Sequence, residues 1–423
     1  MALDFPNAPT VGQIYPLAPP AGTPQWRWTG SLWESAGISM IGAVRFDAAQ
    51  VLNDVQRSQA RQNIYAAPFD AMSCQNIVIN GDMQVSQTNG NSTIPIVNNS
   101  NAFITDQWTC GRNHAAATAA FSANQGAGGY PIGTNYLNMT ASAPLLPLAA
   151  GDWVNIGQSI EGLRLARLWY GSGGAQAITL GFWIWASVIG TAAVSIRNPA
   201  GNRSYVANFN INAVNTWEFK TIVIPGDLTG TWPTANAVGA YLTFCFAAGA
   251  TFRAPQQGVW TAGNYFATPE TGNFFTVAGN VINITGVIML PGSHVFDIGS
   301  SFRLIRPWME ELALCRRYLY KLAPPVNAGS LAAGVTWSGT LALCHWMFPV
   351  SMRVPPTCSG TGSGGLQARL NQNTVPVSSV NFNGVSTESA RIDVNFSSGG
   401  ITGQGCTLEV AVVGSGLVAD ARM

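Results

Sequence analysis

Short runs of alternating apolar residues, each closed by turn residues, constrain this chain more than any other feature. Ile178, Leu180, Phe182 and Ile184 alternate within Gln176–Trp185. Period two is the pattern of a strand with one side in a core. Comparable runs occupy Ala193–Ile196, Tyr205–Ile211, Glu218–Ile224, Ala240–Ala247, Val281–Met289 and His294–Phe296. Ile77-Val78-Ile79-Asn80-Gly81-Asp82 reads as an opening strand and turn. No linker or charge run interrupts residues 76–307. The spacing therefore predicts one large, jelly-roll-like β-sandwich of two sheets.

One stretch imitates a membrane span, because Ala175–Ile196 is 22 residues without a charge. That length would cross a bilayer. Its alternation argues for two strands instead, with a hairpin turn at Gly190-Thr191. Trp183 and Trp185 fall on the second face, so both faces are expected to be covered. No membrane insertion is expected.

Composition excludes other classes. Charged residues make up 9% of the 423 positions, against an average of about 25%. With 20 basic and 19 acidic residues, the net charge is +1. A nucleic-acid binder needs a basic stripe that this balance does not supply. Hydrophobic residues reach 47%, which excludes a disordered chain. The seven cysteines are scattered without metal-site spacing and read as free buried thiols from a reducing cytosol. MALDFPNAPT lacks the basic and apolar regions of a secretory signal.

The flanks differ from the centre. Residues 1–40 are turn-rich and carry Phe5, Tyr15, Trp26, Trp28 and Trp33, with Thr29-Gly30 as a turn. Forty residues make too small a core to stand alone, so this miniature β unit should pack on a partner or on copies of itself. In the 41–75 segment, Asp47 is a helix N-cap candidate. Ala48, Leu52, Val55, Gln59 and Gln62 follow at 4-3-4-3 spacing, a seam of about two heptads. A lone helix this polar is marginal in water. The seam suits a short parallel bundle of identical helices; a surface helix packed on the next domain is the competing reading. Residues 308–423 open with Trp308, Leu312, Cys315 and Leu319 on one helical stripe, stopped by Pro324-Pro325. Glu310 and Glu311 near its start, and Arg316, Arg317 and Lys321 near its end, suit the helix dipole. A smaller β domain follows, with strands around Leu341–Phe348, Arg391–Phe396 and Thr407–Val413.

Four segments together resemble bacteriophage fibre proteins. FPNAPTVGQIY with WRWTGSLW is similar to the anchoring module that opens many tail fibres. FDAAQVLNDVQRSQARQNIYAAPFDA is similar to their linker helix. NIVINGDMQVSQ with TDQW resembles the opening of the sandwich that often follows. RPWMEELALCRRYLYK and FPVSMRVPPT resemble the helix and next strand of the terminal module. Arg316 departs from a more usual Gln-like position, and there is no long repetitive shaft. The resemblance implies a stubby homotrimer, assembled in the bacterial cytoplasm and located in the virion. Its partners would be other copies of itself and a virion structural protein gripped by residues 1–40. The leading expectation is a tail fibre that attaches to a host-surface carbohydrate. A capsid (head) fibre or decoration protein, and a polysaccharide-degrading tailspike, are the alternatives.

Catalytic and metal signals are weak. His114, His294 and His345 have no partner at ligand spacing. Gly360–Gly365 matches G-x-G-x-x-G, but in a β context rather than between strand and helix. No G-x-S-x-G elbow occurs. Glycosidase chemistry needs two facing carboxylates, and no pair declares itself among the 19 acids. No enzyme activity, cofactor or metal is expected. Trp232, Trp260, Tyr265 and Phe266 lie in Gly/Pro/Thr/Asn-rich segments and suit a sugar, though loop aromatics also pack into sandwich edges. Few charges point to a neutral or weakly charged carbohydrate, bound with little dependence on salt.

Overall fold

The computed structural model describes residues 4–19, 23–38, 59–60, 76–114, 121–128, 135–293, 305–371 and 373–423. The protein is mainly β. It divides into two compact units, Met1–Pro68 and Phe69–Met423.

The first unit holds a three-stranded antiparallel sheet, β1 (Ile14–Tyr15), β2 (Pro24–Trp28) and β3 (Trp33–Ile38). The Thr29-Gly30 turn forms as expected: Thr29 N–H donates to the Leu32 carbonyl at 3.0 Å and Gly30 takes φ +105°. Register places Trp26 opposite Tyr15 and Trp28 opposite Trp33. Phe5 stacks on Trp33 at 4.9 Å and meets Trp26 edge-on at 5.6 Å. All five rings are only half-buried. In the neck segment Gln59 and Ala60 are helical, while Leu52, Val55 and Gln62 lie outside the described residues.

The second unit opens with a two-sheet sandwich. Its strands are β4 (Ile94–Ile96), β5 (Ser100–Thr105), β6 (Trp108–Asn113), β7 (Phe121–Ala127), β8 (Asn135–Ala141), β9 (Trp153–Glu161), β10 (Ile178–Ala186), β11 (Gly190–Arg197), β12 (Ser204–Ile211), β13 (Glu218–Ile224), β14 (Val238–Ala248), β15 (Trp260–Thr261) and β16 (Val281–Pro291). One sheet runs β13-β10-β16-β8-β7-β4, the other β15-β12-β11-β14-β9-β6-β5. Phe182 bridges them, meeting Phe209 at 5.0 Å and Phe244 at 4.8 Å. Each such buried ring contributes about 1.5–3 kcal/mol.

Three expectations are corrected here. The Ala175–Ile196 stretch is two strands, but not a hairpin. β10 pairs with β13 and β16, and β11 with β12 and β14 in the other sheet. Both edges of β10 are occupied, so the chain passes from one sheet to the other through Ser187–Ile189, and Gly190-Thr191 already belong to β11. Both faces of β10 are indeed covered near Trp183, which is 5% exposed. His294–Phe296 lies outside the described residues.

The second correction concerns Ile77–Asn80, which is not a ladder strand although Ile77, Val78 and Ile79 are buried. Side chains satisfy much of its backbone in place of a neighbouring strand. Gln158 brackets Ile79, accepting from its N–H at 3.0 Å and donating to its carbonyl at 2.7 Å. The Val78 N–H donates to Asn76 Oδ1 at 3.1 Å, and the Asn80 and Val78 carbonyls accept from Trp108 and Arg306.

Third, the connecting helix α2 (Trp308–Arg316) ends eight residues before Pro324; the short α1 (Gly162–Leu165) precedes it in the sandwich. Leu319 lies not on the helix but in β17 (Leu319–Leu322), because its backbone pairs with β25 (Leu417–Asp420). Trp308 is half exposed, so Leu312 and Cys315 alone form the buried stripe. Between these strands lie β18 (Ser330–Ser338), β19 (Leu341–Met347), β20 (Thr357–Gly360), β21 (Leu366–Leu370), β22 (Asn373–Asn383), β23 (Ser389–Phe396) and β24 (Gly405–Val410). Six of them close a barrel, β18-β19-β23-β22-β21-β24, around Trp346, Ile392, Val394 and Leu408. The Gly360–Gly365 run joins β20 to β21, strand to strand.

Candidate functional site

The outer face of the seven-stranded sheet carries a polar cleft. Val154, Ile156, Leu242, Phe244, Val194 and Ile196 face the core. Alternation therefore turns their odd-numbered neighbours outward. Register aligns these across five strands: Phe103, Thr109, Gly157, Thr243 and Ser195 form one row. Ser159, Tyr241 and Arg197 form the row on one side, and Asn101, Gly111, Asn155, Cys245 and Ala193 the row on the other. A Cβ at Gly111 would collide with the Asn101 amide and the Trp153 ring, so the glycine makes room for both.

Two walls stand on this floor. Residues 252–267 cover one part, where Phe252, Tyr265 and Phe266 pack with Ala193, Val206, Cys245 and Trp153. On the other side the Arg422 guanidinium sits 4.2 Å over the Phe103 ring, held by Asp420. Between them is a cleft of about 290 Å³ lined by Asn101, Phe103, Thr109, Asn155, Ser159, Arg197, Tyr241, Thr243 and Met423, among others. Among the described lining residues there is no Asp or Glu. Arg197 donates to Asn264 Oδ1 at 2.5 Å and to Thr243 Oγ1 at 3.1 Å. Its guanidinium lies 4.8 Å from the Phe266 ring and 5.6 Å from the Tyr241 ring. Burial lowers it to about 10, so it stays charged at neutral pH.

The aromatics singled out in the sequence sit elsewhere. Trp232 is 7% exposed, and its indole donates to Asp227 Oδ2 at 3.0 Å. Trp260 is half-buried, donates to the Pro225 carbonyl at 2.7 Å and meets Trp232 edge-on at 5.5 Å. Tyr170 and Tyr205 complete this cluster, and Arg203 pairs with Asp227 beside it. Trp232 and Trp260 thus come together as packing at the rim of the core. Tyr265 is half-buried on the opposite side of β12, in the wall of the cleft.

Sequence reasoning missed Asn101, Asn155, Ser159, Arg197, Tyr241 and Thr243. The available signal was polar residues at every second position of otherwise apolar strands, Tyr241 and Thr243 within Val238–Ala248 above all. Elsewhere, His114 is buried, 3.1 Å from the Pro147 carbonyl and 3.5 Å from Asp152. Among the described residues no group of three or more His, Cys, Asp or Glu could hold a metal, and no helix is long and apolar enough to cross a membrane.

No protein-family model and no curated protein matches the chain. Among solved structures it is similar to the enzymatically active domain of bacteriophage CBA120 tailspike protein 4, at 17% identity and a TM-score of 0.27, covering 53% of this chain and 22% of that one. TmCBM61 in complex with β-1,4-galactotriose matches at 12% identity and a TM-score of 0.25, over 51% of this chain and 99% of that one. The CBM22-1–GH10 modules of Clostridium thermocellum xylanase 10B, complexed with xylohexaose, match at 11% and 0.26, over 53% and 30%. The chain therefore spans about a fifth of the tailspike it matches. At these scores the site has to be read from its own residues.

Proposed function

We propose that this protein is an adhesive phage fibre whose sandwich binds a host-surface glycan in the cleft without chemistry. The observation that carries the reading is the register of amides and hydroxyls across five strands, with the Tyr241 ring among them. Sugars need closely spaced hydrogen-bonding groups beside an apolar platform, on a scaffold that pays little entropy on binding. A glycosidase would need a carboxylate pair at the sugar, and the described lining offers none. The virion setting and trimeric assembly rest on the four fibre-like segments, with residues 1–40 as the anchor and residues 41–75 as the neck. A single site of this kind binds at ~0.1–1 mM, and three copies per fibre raise avidity by ~10²–10⁴.

The test is a glycan array probed with the whole soluble chain, followed by Tyr241→Ala and Asn155→Ala. The expected result is a defined set of sugar hits, each weakened at least fivefold by either substitution with the fold retained. Hits that survive both substitutions unchanged would place binding outside the cleft.

A further inference from the structure

Arg197 is a charged group on the cleft floor that no acid among the described residues pairs with. Elsewhere in the chain arginines hold carboxylates: Arg203 with Asp227, Arg306 with Glu311, Arg317 with Glu161, Arg369 with Glu409. Arg197 is bonded instead to two neutral oxygens, on Asn264 and Thr243. Its Nε is buried without a hydrogen-bond partner. A guanidinium has five N–H donors, so Asn264 and Thr243 use only part of its capacity, in a residue that lines the cleft. Arg422, across the cleft, is already tied to Asp420. Withdrawing a cation from water without a counter-charge costs stability. A purely structural link between Thr243 and Asn264 could be made by a neutral amide at lower cost. The low charge of the chain as a whole suggests a neutral or weakly charged ligand, but Arg197 places a cation among the neutral groups of this cleft.

We propose that the glycan bound here carries an anionic group, a sugar carboxylate or a sugar phosphate, seated against Arg197. This rests on the cleft being the carbohydrate site. A guanidinium recognises either group through paired N–H donors, which a point-like ammonium does not reproduce. The rings of Tyr241 and Phe266 hold the guanidinium in place and leave the neighbouring amides to the sugar hydroxyls.

The experiment titrates the full chain with three probes, digalacturonate, digalactose and galactose 1-phosphate, at low and at high salt. The expected result is at least tenfold tighter binding of one anionic probe than of digalactose, narrowing several-fold at high salt. Which anionic probe wins distinguishes carboxylate from phosphate. Arg197→Gln should remove the preference and Arg197→Lys should restore only part of it. The wild-type comparison stands even if a variant misfolds. Equal affinity for all three probes, or a preference that survives Arg197→Gln, overturns the anionic ligand and leaves the cleft as a neutral-sugar site. No binding of any probe in the cleft, on an array that also shows no Tyr241-dependent hit, overturns both readings.

Discussion

The hydroxyl of Tyr318 donates to the carboxylate of Glu161 at 2.6 Å, joining residues 157 apart in the chain. Glu161 ends β9 of the sandwich, and Tyr318 lies between α2 and β17. Arg317 adds two bonds to the same carboxylate, at 2.6 and 3.0 Å. This contact ties the sandwich to the barrel side of the unit. Burial and the Glu161 carboxylate both push the Tyr318 hydroxyl up, so it remains a donor at any working pH. Glu161→Gln should cost about 2–4 kcal/mol, since it strips the charge from a nearly buried site and weakens the bonds from Arg317, itself partly solvated. Tyr318→Phe should cost about 1 kcal/mol, because Arg317 still holds the carboxylate. Urea midpoints of the two variants check the order.

Tryptophan substitutions should separate packing from binding. Trp232→Ala empties a buried site and removes a donor from Asp227, so it should destabilise by about 3–5 kcal/mol. Tyr241→Ala should leave the midpoint within about 1 kcal/mol, because that ring is only half-buried, while weakening sugar binding. A Trp232→Ala protein of unchanged stability, measured by denaturant unfolding, would contradict this assignment.

How legible the molecule was depends on whether the information is local. Period two marked β10, β12, β13, β14 and β16, because alternation is written into neighbouring residues. The partners of β10 were not legible. A hairpin and a crossover have the same alternation, and the choice rests on strands as far off in sequence as β16. Ile77–Ile79 has a strand's composition, yet Gln158, Asn76 and Trp108 side chains bond its backbone, which is a tertiary fact. The candidate cleft was hidden for the same reason. Asn155 and Tyr241 gain meaning only when β9 and β14 are in register. Trp232 drew attention by its size and loop setting, and Asp227 turns it into core.

Asp82 should make stability depend on pH. Its carboxyl is 4% exposed and pushed up to about 7, first by burial and then by the nearby charge of Glu311. Between its unfolded value of 3.8 and about 7, the folded chain keeps a proton that the unfolded chain releases. Stability from this group is therefore full below about pH 4, falls as pH rises toward 7 and is level above it. The displacement corresponds to roughly 4 kcal/mol at most. Glu218 and Asp420, both held low by basic partners, act with the opposite sign. The informative quantity is thus the difference from Asp82→Asn. The variant should gain on wild type between pH 4.5 and 8 in urea unfolding, and parallel curves would refute the assignment.

Trimeric assembly predicts a mass of three chains in solution. The proposed neck rests on the 4-3-4-3 sequence spacing of Leu52, Val55, Gln59 and Gln62, about two heptads in a segment too polar for a lone helix. Light scattering at micromolar concentration should report three times 44.6 kDa. Leu52→Asp with Val55→Asp should lower that mass while the far-ultraviolet signal of the sandwich persists. A folded wild-type monomer would remove the neck from the proposal.

The last prediction concerns the N-terminal sheet. Phe5, Tyr15, Trp26, Trp28 and Trp33 touch one another at 4.9–6.2 Å, yet each remains half-buried in its own unit. Aromatic clusters left half exposed are what a protein interface covers. Removing residues 1–40 takes away no described part of the second unit, whose buried clusters begin at Ile77. The truncated chain should stay soluble, bind the same sugars and fail to enter virions. The substitution pair Trp26→Ser and Trp33→Ser should lower incorporation by at least tenfold without changing sugar affinity, as counted by immunolabelled particles. Normal incorporation of the truncated chain would show that the virion grips it elsewhere.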